Sequence, residues 1–376
     1  MSISRWVRFA LLSLMLLAAG STLAQQPFKS ISVQGKGVNM IVSRDGRYLA
    51  TFDTLVLHIE ETQPTAAMTA VRVYAVDTGQ LLWELTDATD FVMDGAFSPD
   101  NRTLVTYHQN GFIYLWDMRN GEPSQIIPAI EGVGQPVFYF SDGQRLLTRG
   151  GNFFSPHLLW NLDSGAITAV FTHRFDSRAV MMQATDGMRV EGTSKYNSVA
   201  TVLSPDETHF ITVTQSGYIW DWDLAEPAQN PTMLRQGTEM PDFPIRHIYF
   251  TPDGESLVYF AYYRDDALSG IYRLDIASGE EMLIHNVTTR SGFALSPDGQ
   301  RVVWGDVENA ALSFALLADP DTVTTVSMAE IGVTPRLWPN QIRPFVFVNE
   351  GSHLLVSGFL DENLDTPFIY LVDVPS

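Results

Sequence analysis

Short apolar segments alternate with tight polar turns through most of this chain. In the clearest unit, from Met93 to Ile127, turn residues such as Asn110 and Gly111 separate four segments of strand-forming residues. These segments are Met93–Phe97, Arg102–Tyr107, Phe112–Trp116 and Pro123–Ile127. Four such segments in fewer than 40 residues predict a small antiparallel sheet of four strands.

One turn sequence, typified by Ser-Pro-Asp-Gly, recurs between the first and second segments of each unit. Pro presets the backbone for such a turn, and Asp, Asn and Gly tolerate the bend. The copies are Ser43–Gly46, Ser98–Asn101, Phe140–Gly143, Ser204–Glu207, Thr251–Gly254, Ser296–Gly299 and Val348–Gly351. A unit that repeats in this way is typical of repeat architectures, so seven copies predict seven sheets.

The third segment of several units ends on an aromatic residue followed by Asp or Asn. Examples are Trp116-Asp117, Trp160-Asn161 and Trp222-Asp223. With these endings the chain resembles the WD-repeat β-propellers, and the resemblance covers nearly all of residues 25–376. It implies an all-β fold, a single seven-bladed β-propeller domain built from four-stranded antiparallel blades.

The chain departs from that family in two respects. The sixth unit, around Leu312–Ala318, lacks the Trp-Asp ending, and no unit carries the family's Gly-His pair. We therefore expect that the hydrogen-bonded tetrad that links these residues within a blade of the family does not form here.

The two ends of the chain predict how the ring of blades closes. The last unit has its third segment at Phe368–Asp373 and then lacks a fourth. Phe28–Val33 alternates apolar and polar residues and precedes the first unit. We expect Phe28–Val33 to pair beside Phe368–Asp373, because this completes the last blade and removes an exposed edge.

Residues Met1–Ala24 have the features of a secretory signal peptide. Arg5 and Arg8 precede the apolar run Phe9–Gly20, and small residues follow it. We expect cleavage before Gln25 and export to the cell surface, the periplasm or the medium; an uncleaved N-terminal anchor is the alternative. The absence of cysteine excludes disulfides and thiolate metal sites.

The composition is strongly acidic. The full chain has a formal net charge of −20, and loss of Arg5 and Arg8 with the signal peptide leaves 21 basic and 43 acidic residues. Such a surface repels nucleic acid and anionic lipid, so neither is an expected partner. We expect a monomer with no integral membrane segment after cleavage.

Insertions beyond the repeating unit all map to one end of the predicted blades. They join strands two and three of a blade, or one blade to the next, and the turns at the other end stay short. The long connections are Glu60–Ala67, Gly150–His157, Arg174–Asn197, Gly237–Pro244, Tyr263–Ser269, Glu330–Gln341 and Asp361–Thr366. Binding residues concentrate in loops on a rigid scaffold, so this end is the predicted recognition surface; insertion tolerated without function is the alternative.

Three arginines at the start of inner strands are the first candidate binding residues. Arg246, Arg290 and Arg343 belong to three consecutive blades and are expected at the mouth of the central channel. Arginine binds carboxylate or phosphate in a bidentate manner, which predicts a partner with an anionic group. Ion pairs that join adjacent blades are the alternative role for these arginines.

Three aromatic residues are the second group of candidates. Phe154, Tyr263 and Trp338 lie in or beside the long connections. Aromatic side chains in loops are good anchors for proteins or sugars, so these three are predicted contacts for a partner.

Sequence motifs for nucleophilic, phosphate or zinc chemistry do not occur in the chain. No cofactor and no metal site is expected. The primary interpretation is an exported, non-catalytic propeller that binds a protein or peptide through its loop-rich end. An exported propeller hydrolase or lyase, acting on a polysaccharide or acidic substrate at the channel mouth, is the alternative. A purely structural envelope component is a third interpretation.

Overall fold

The computed structural model describes residues 28–33, 39–53, 65, 69–131, 136–150, 156–173, 198–237, 245–263, 268–287, 292–306, 311–328, 345–359 and 367–375. In these residues the chain is almost entirely β-strand. The strands form seven separate four-stranded antiparallel sheets. The protein is therefore an all-β, seven-bladed β-propeller, which confirms the predicted fold class.

Strand β1 (Phe28–Ser32) precedes the first complete blade, and each of the next four blades is built from consecutive strands. Blade 1 contains β2 (Asn39–Val42), β3 (Tyr48–Phe52), β4 (Val71–Ala75) and β5 (Leu81–Leu85). Blade 2 contains β6 (Val92–Phe97), β7 (Thr103–His108), β8 (Phe112–Asp117) and β9 (Glu122–Pro128). Blade 3 contains β10 (Val137–Tyr139), β11 (Arg145–Arg149), β12 (His157–Asn161) and β13 (Ala166–Phe171). Blade 4 contains β14 (Ser198–Leu203), β15 (His209–Thr214), β16 (Ile219–Asp223) and β17 (Thr232–Arg235).

The last three blades follow the same order, and the seventh borrows the first strand of the chain. Blade 5 contains β18 (Ile245–Phe250), β19 (Ser256–Ala261), β20 (Gly270–Asp275) and β21 (Glu281–Asn286). Blade 6 contains β22 (Phe293–Leu295), β23 (Arg301–Asp306), β24 (Ala311–Leu316) and β25 (Asp319–Ser327). Blade 7 contains β26 (Phe345–Val348), β27 (His353–Phe359), β28 (Pro367–Asp373) and β1.

Ring closure occurs as the two ends of the chain predict. β1 runs antiparallel to β28, with Phe28 opposite Val372 and Ser32 opposite Phe368. Ile31 is 1% exposed and packs in a cluster that contains residues of blades 1 and 7. The outer strand of blade 7 therefore comes from the opposite end of the described chain.

The hydrophobic core is divided among the seams between blades, because alternate residues of each strand face opposite neighbours. Aromatic residues of the strands pack in these seams: Trp116 is fully buried between blades 1 and 2, and Tyr74, Trp160 and Trp222 are also buried. Phe347 is partly buried between blades 6 and 7. Residues 1–27, which include the predicted signal peptide, lie outside the described residues. No helix in the described part of the chain is long and apolar enough to cross a membrane.

The recurring turn is stabilised by its own side chains. In the turn of blade 2, the Ser98 hydroxyl donates to Asp100 at 2.6 Å and accepts from the backbone N–H of Thr103 at 3.0 Å. The corresponding Ser or Thr makes the same pair of hydrogen bonds in blades 1, 4, 5 and 6. The hydrogen bond from the hydroxyl is the main cause that lowers the pKa of the turn aspartates Asp100, Asp206, Asp253 and Asp298.

A buried chain of hydrogen bonds begins at the tryptophan of blade 2. In blade 2, Trp116 Nε1 donates to Thr106 Oγ1 at 2.8 Å, and Thr106 Oγ1 lies 2.8 Å from Nε2 of His108. His108 Nδ1 lies 2.9 Å from the carbonyl oxygen of Asp90. The histidine comes from the end of β7 and not from a Gly-His pair, and the chain ends on a backbone carbonyl, so this network differs from the tetrad of the WD-repeat family.

The Trp–Thr hydrogen bond recurs in the next two blades. Trp160 Nε1 donates to Thr148 Oγ1 at 2.9 Å, and Trp222 Nε1 donates to Thr212 Oγ1 at 3.0 Å. In each case the threonine lies on the second strand, two residues from the position opposite the tryptophan. The bond ties the third strand of a blade to its second strand inside the core.

The strand order defines two ends of the disc. The turns between strands one and two, and between strands three and four, lie at one end, called here the short-turn face. The connections between strands two and three, and between successive blades, lie at the other end, called here the loop-rich face. The strands that flank the seven predicted long connections have their adjoining ends at the loop-rich face, and the connections themselves lie largely outside the described residues.

Candidate functional site

The seam between blades 3 and 4 combines an apolar end with a polar end. At the short-turn end, this seam is filled by aromatic and aliphatic side chains such as Phe140, Phe210 and Trp222. Polar and half-buried groups fill it at the loop-rich end, and we call the whole interface the 3–4 seam.

Two basic side chains of blade 3 reach across the 3–4 seam to the inner strand of blade 4. Arg149, the last residue of β11, is 4% exposed and donates from Nη1 to the carbonyl oxygen of Ser198. His157, the first residue of β12, is also 4% exposed, and its Nε2 lies 3.0 Å from Thr201 Oγ1. Both side chains lie where β11 ends and β12 begins, so they bridge the seam at its loop-rich end.

Burial sets the charge of these two groups. It lowers the pKa of Arg149 to about 10, so the guanidinium stays protonated at neutral pH. Burial, followed by the positive charges of Arg149 and His173, lowers the pKa of His157 to about 3. His157 is therefore a neutral imidazole over the whole physiological range.

An aromatic group lies at the same end of the seam and is half-exposed. The rings of Tyr218 and Trp220 are nearly parallel, with centroids 6.0 Å apart and an interplanar angle of 13°. The ring of His173 meets Trp220 edge-on at 4.9 Å and Trp222 at 4.8 Å. Tyr218, Trp220 and His173 are neither buried nor fully exposed, whereas Trp222 is buried beneath them. This arrangement can stack on a flat apolar group of a partner.

Tyr263 is the one predicted site residue whose side chain the structure describes. Its hydroxyl accepts a hydrogen bond of 2.7 Å from Nη2 of Arg235, and its ring meets Tyr272 edge-on at 6.4 Å. Arg235 also donates from Nε to Glu281 at 2.7 Å. Tyr263 is half-buried and joins blade 4 to blade 5, so the structure gives it a packing role between blades.

The other predicted site residues lie largely outside the described residues. Arg246 is in β18, but its side chain is outside them. Arg290, Arg343, Phe154 and Trp338 are outside them entirely. The structure therefore does not test whether the six candidates lie together, and the roles of these five stay predictions.

His173, Tyr218 and Trp220 are not among the binding residues predicted from the sequence. A signal was present, since Tyr218, Trp220 and Trp222 alternate and must share one face of a strand. The pattern could not show that this face meets the 3–4 seam near its loop-rich end. Among the described residues, no group of three or more His, Asp or Glu side chains is placed to hold a metal ion.

No protein-family model matches the chain, and no curated protein matches it in sequence. What the protein binds is therefore inferred from the geometry of the 3–4 seam.

Proposed function

We propose that this protein is an exported, non-catalytic scaffold that binds a protein or peptide segment at the loop-rich end of the 3–4 seam. The observation that carries the proposal is the half-exposed group of His173, Tyr218 and Trp220. A propeller fold is consistent with a binding scaffold, and its relation to the WD-repeat proteins is part of the same proposal.

The chemistry of this group favours a partner with flat apolar side chains. Tyrosine and tryptophan bind with large, rigid contact areas at low conformational cost, and they dominate the energetics of many protein interfaces. The inner wall of the seam is fixed by the contacts of Arg149 and His157 with β14. The rings therefore stand on a rigid support, which reduces the entropy lost on binding.

Substitution of the seam aromatics should weaken the binding of a captured partner. The purified protein would be immobilised, partners collected from growth medium and cell-envelope extracts, and affinities measured by titration calorimetry. We expect Trp220→Ala and Tyr218→Ala each to weaken binding at least about tenfold, the loss typical of a central aromatic anchor.

Trp83→Ala is the matched control, because Trp83 is also partly buried but packs between blades 1 and 2. It should lower stability while the affinity stays within about twofold of the unsubstituted protein, well below the loss expected for an anchor. Equal affinities for all three variants would refute this location for the site. No reproducible partner under several growth conditions would count against the scaffold itself.

Export is supported by the sequence of the first 24 residues. N-terminal sequencing of the protein recovered outside the cytoplasm should begin at Gln25. Recovery only from the cytoplasm with an intact Met1 would contradict export, and an intact Met1 in the membrane fraction would favour the retained anchor.

A further inference from the structure

The recurring turns form a ring around the axis at the short-turn face. The fourth residue of one turn lies beside the second residue of the turn in the preceding blade. This relation places Gly254 beside Pro205, Gly299 beside Pro252, Gly351 beside Pro297 and Gly46 beside Asn349. The same contact between turns of neighbouring blades therefore occurs at four places in the ring.

Several residues of these turns depart from the Ser-Pro-Asp-Gly pattern, and three of them form one cluster. Arg44 in blade 1 and Ser141 in blade 3 stand where most copies have Pro, and Glu207 in blade 4 stands where most have Gly. The backbone N–H of Ser141 donates to the Glu207 carboxylate at 2.8 and 3.0 Å, and the Ser141 hydroxyl donates to it at 2.8 Å. A proline at position 141 could not make the first of these contacts, because it has no N–H.

Arg44 completes the cluster from across the axis. Its Nη2 donates to the carbonyl oxygen of Tyr139 at 2.9 Å and lies 3.7 Å from Oε1 of Glu207. Blade 1 is not a neighbour of blade 3 or of blade 4 in the ring, so this side chain spans the axis rather than a seam. Tyr139 is the last residue of β10, so Arg44 contacts the end of the inner strand of blade 3.

Glu207 is held in a backbone conformation that its side chain disfavours. Its φ is +59°, and at this position five other copies of the turn have a glycine with positive φ. Such a residue persists when surrounding contacts offset the strain. The Glu207 side chain contacts Ser141 and Arg44, and it is 14% exposed.

We propose that Arg44, Ser141 and Glu207 form a latch that closes the ring across its axis and fixes the width of the 3–4 seam. The latch holds the short-turn end of the seam, and Arg149 and His157 hold the loop-rich end. This inference goes beyond the proposed function, and its test needs no partner, so either can fail without the other.

The test restores the pattern of the other turns with Arg44→Pro, Ser141→Pro and Glu207→Gly. Asn101→Gly is the matched control, since Asn101 has φ +57° at the same turn position in blade 2. If the latch holds the ring, Glu207→Gly lowers the urea midpoint although it relieves strain, while Asn101→Gly leaves the midpoint unchanged or raises it.

Hydrogen exchange gives the more local readout. In Glu207→Gly the amide of Ser141 should exchange about tenfold faster or more, since it loses a charged acceptor. Residues 198–203 should also exchange faster, and Glu207→Gln, which keeps one acceptor oxygen, should be intermediate. Arg44→Pro and Glu207→Gly should have non-additive effects on the urea midpoint. Additive effects of Arg44→Pro and Glu207→Gly on the urea midpoint would contradict the proposed latch. So would a Glu207→Gly variant that is as stable as Asn101→Gly and shows unchanged exchange at Ser141.

Discussion

Acidification from about pH 6.5 to pH 4 should destabilise the protein strongly, because two buried histidines are neutral in the folded state. Burial lowers the pKa of His108 to about 4, and burial with nearby positive charge lowers that of His157 to about 3. The unfolded chain binds these protons near pH 6.5, so unfolding takes up protons below that pH. The stabilisation is complete above pH 6.5 and is lost as the pH falls towards the folded pKa values.

The shift at His108 alone corresponds to about 3 kcal/mol of unfolding free energy. Urea denaturation at a series of pH values measures this loss. In His108→Gln the difference in unfolding free energy between about pH 7.5 and pH 5 should shrink by more than 1 kcal/mol. The turn aspartates act in a different range: their lowered pKa values stabilise the fold above about pH 4, and that contribution is lost only below it.

Thr148→Val is the control for the histidine experiment. It removes the buried acceptor of Trp160 Nε1 and should lower stability by about 1 to 3 kcal/mol at every pH. It introduces no titrating group, so the pH profile should keep its shape. A His108→Gln profile parallel to that of the unsubstituted protein would show that His108 does not supply the acid sensitivity.

Ile31→Ala should cost about 3 kcal/mol of unfolding free energy, because β1 closes the ring and its isoleucine is buried in the closing seam. Ile31 packs against blade 1 beside Gly79 and belongs to a cluster with Leu355 and Ile369 of blade 7. Truncation leaves a cavity at the point where the first and last described strands meet. Equilibrium urea unfolding gives the difference directly.

Ser30→Ala is the matched control, since Ser30 is the preceding residue of β1 and is exposed. Its unfolding free energy should differ by less than about 0.5 kcal/mol from that of the unsubstituted protein, as for most surface substitutions. Equal stabilities of Ile31→Ala and Ser30→Ala would show that β1 is not packed against β28 in solution.

Local patterns were sufficient to predict the fold. Period-two alternation and a turn with a fixed side-chain requirement specify strands and their order, and both are readable from neighbouring residues. The closing strand Phe28–Ser32 was predictable for the same reason, since it alternates and the last blade needed one more strand.

The candidate site depended on contacts between residues far apart in the chain. His108 joins Trp116 through Thr106, a chain that needs the exact pairing of β7 with β8. Glu207 was visible as an unusual turn residue, but its contacts with Ser141 and Arg44 exist only because the ring brings distant turns together. The exposure of Trp220 likewise depends on how blade 3 packs against blade 4.

The recognition surface can be located directly by hydrogen–deuterium exchange of the protein alone and in complex with its captured partner. If the partner binds at the loop-rich end of the 3–4 seam, residues 214–219 and 198–201 should exchange more slowly in the complex than in the free protein. Exchange at the turn Ser98–Asn101 should be unchanged. Protection confined to the recurring turns, with no change around Trp220, would place binding on the short-turn face and contradict the proposed site.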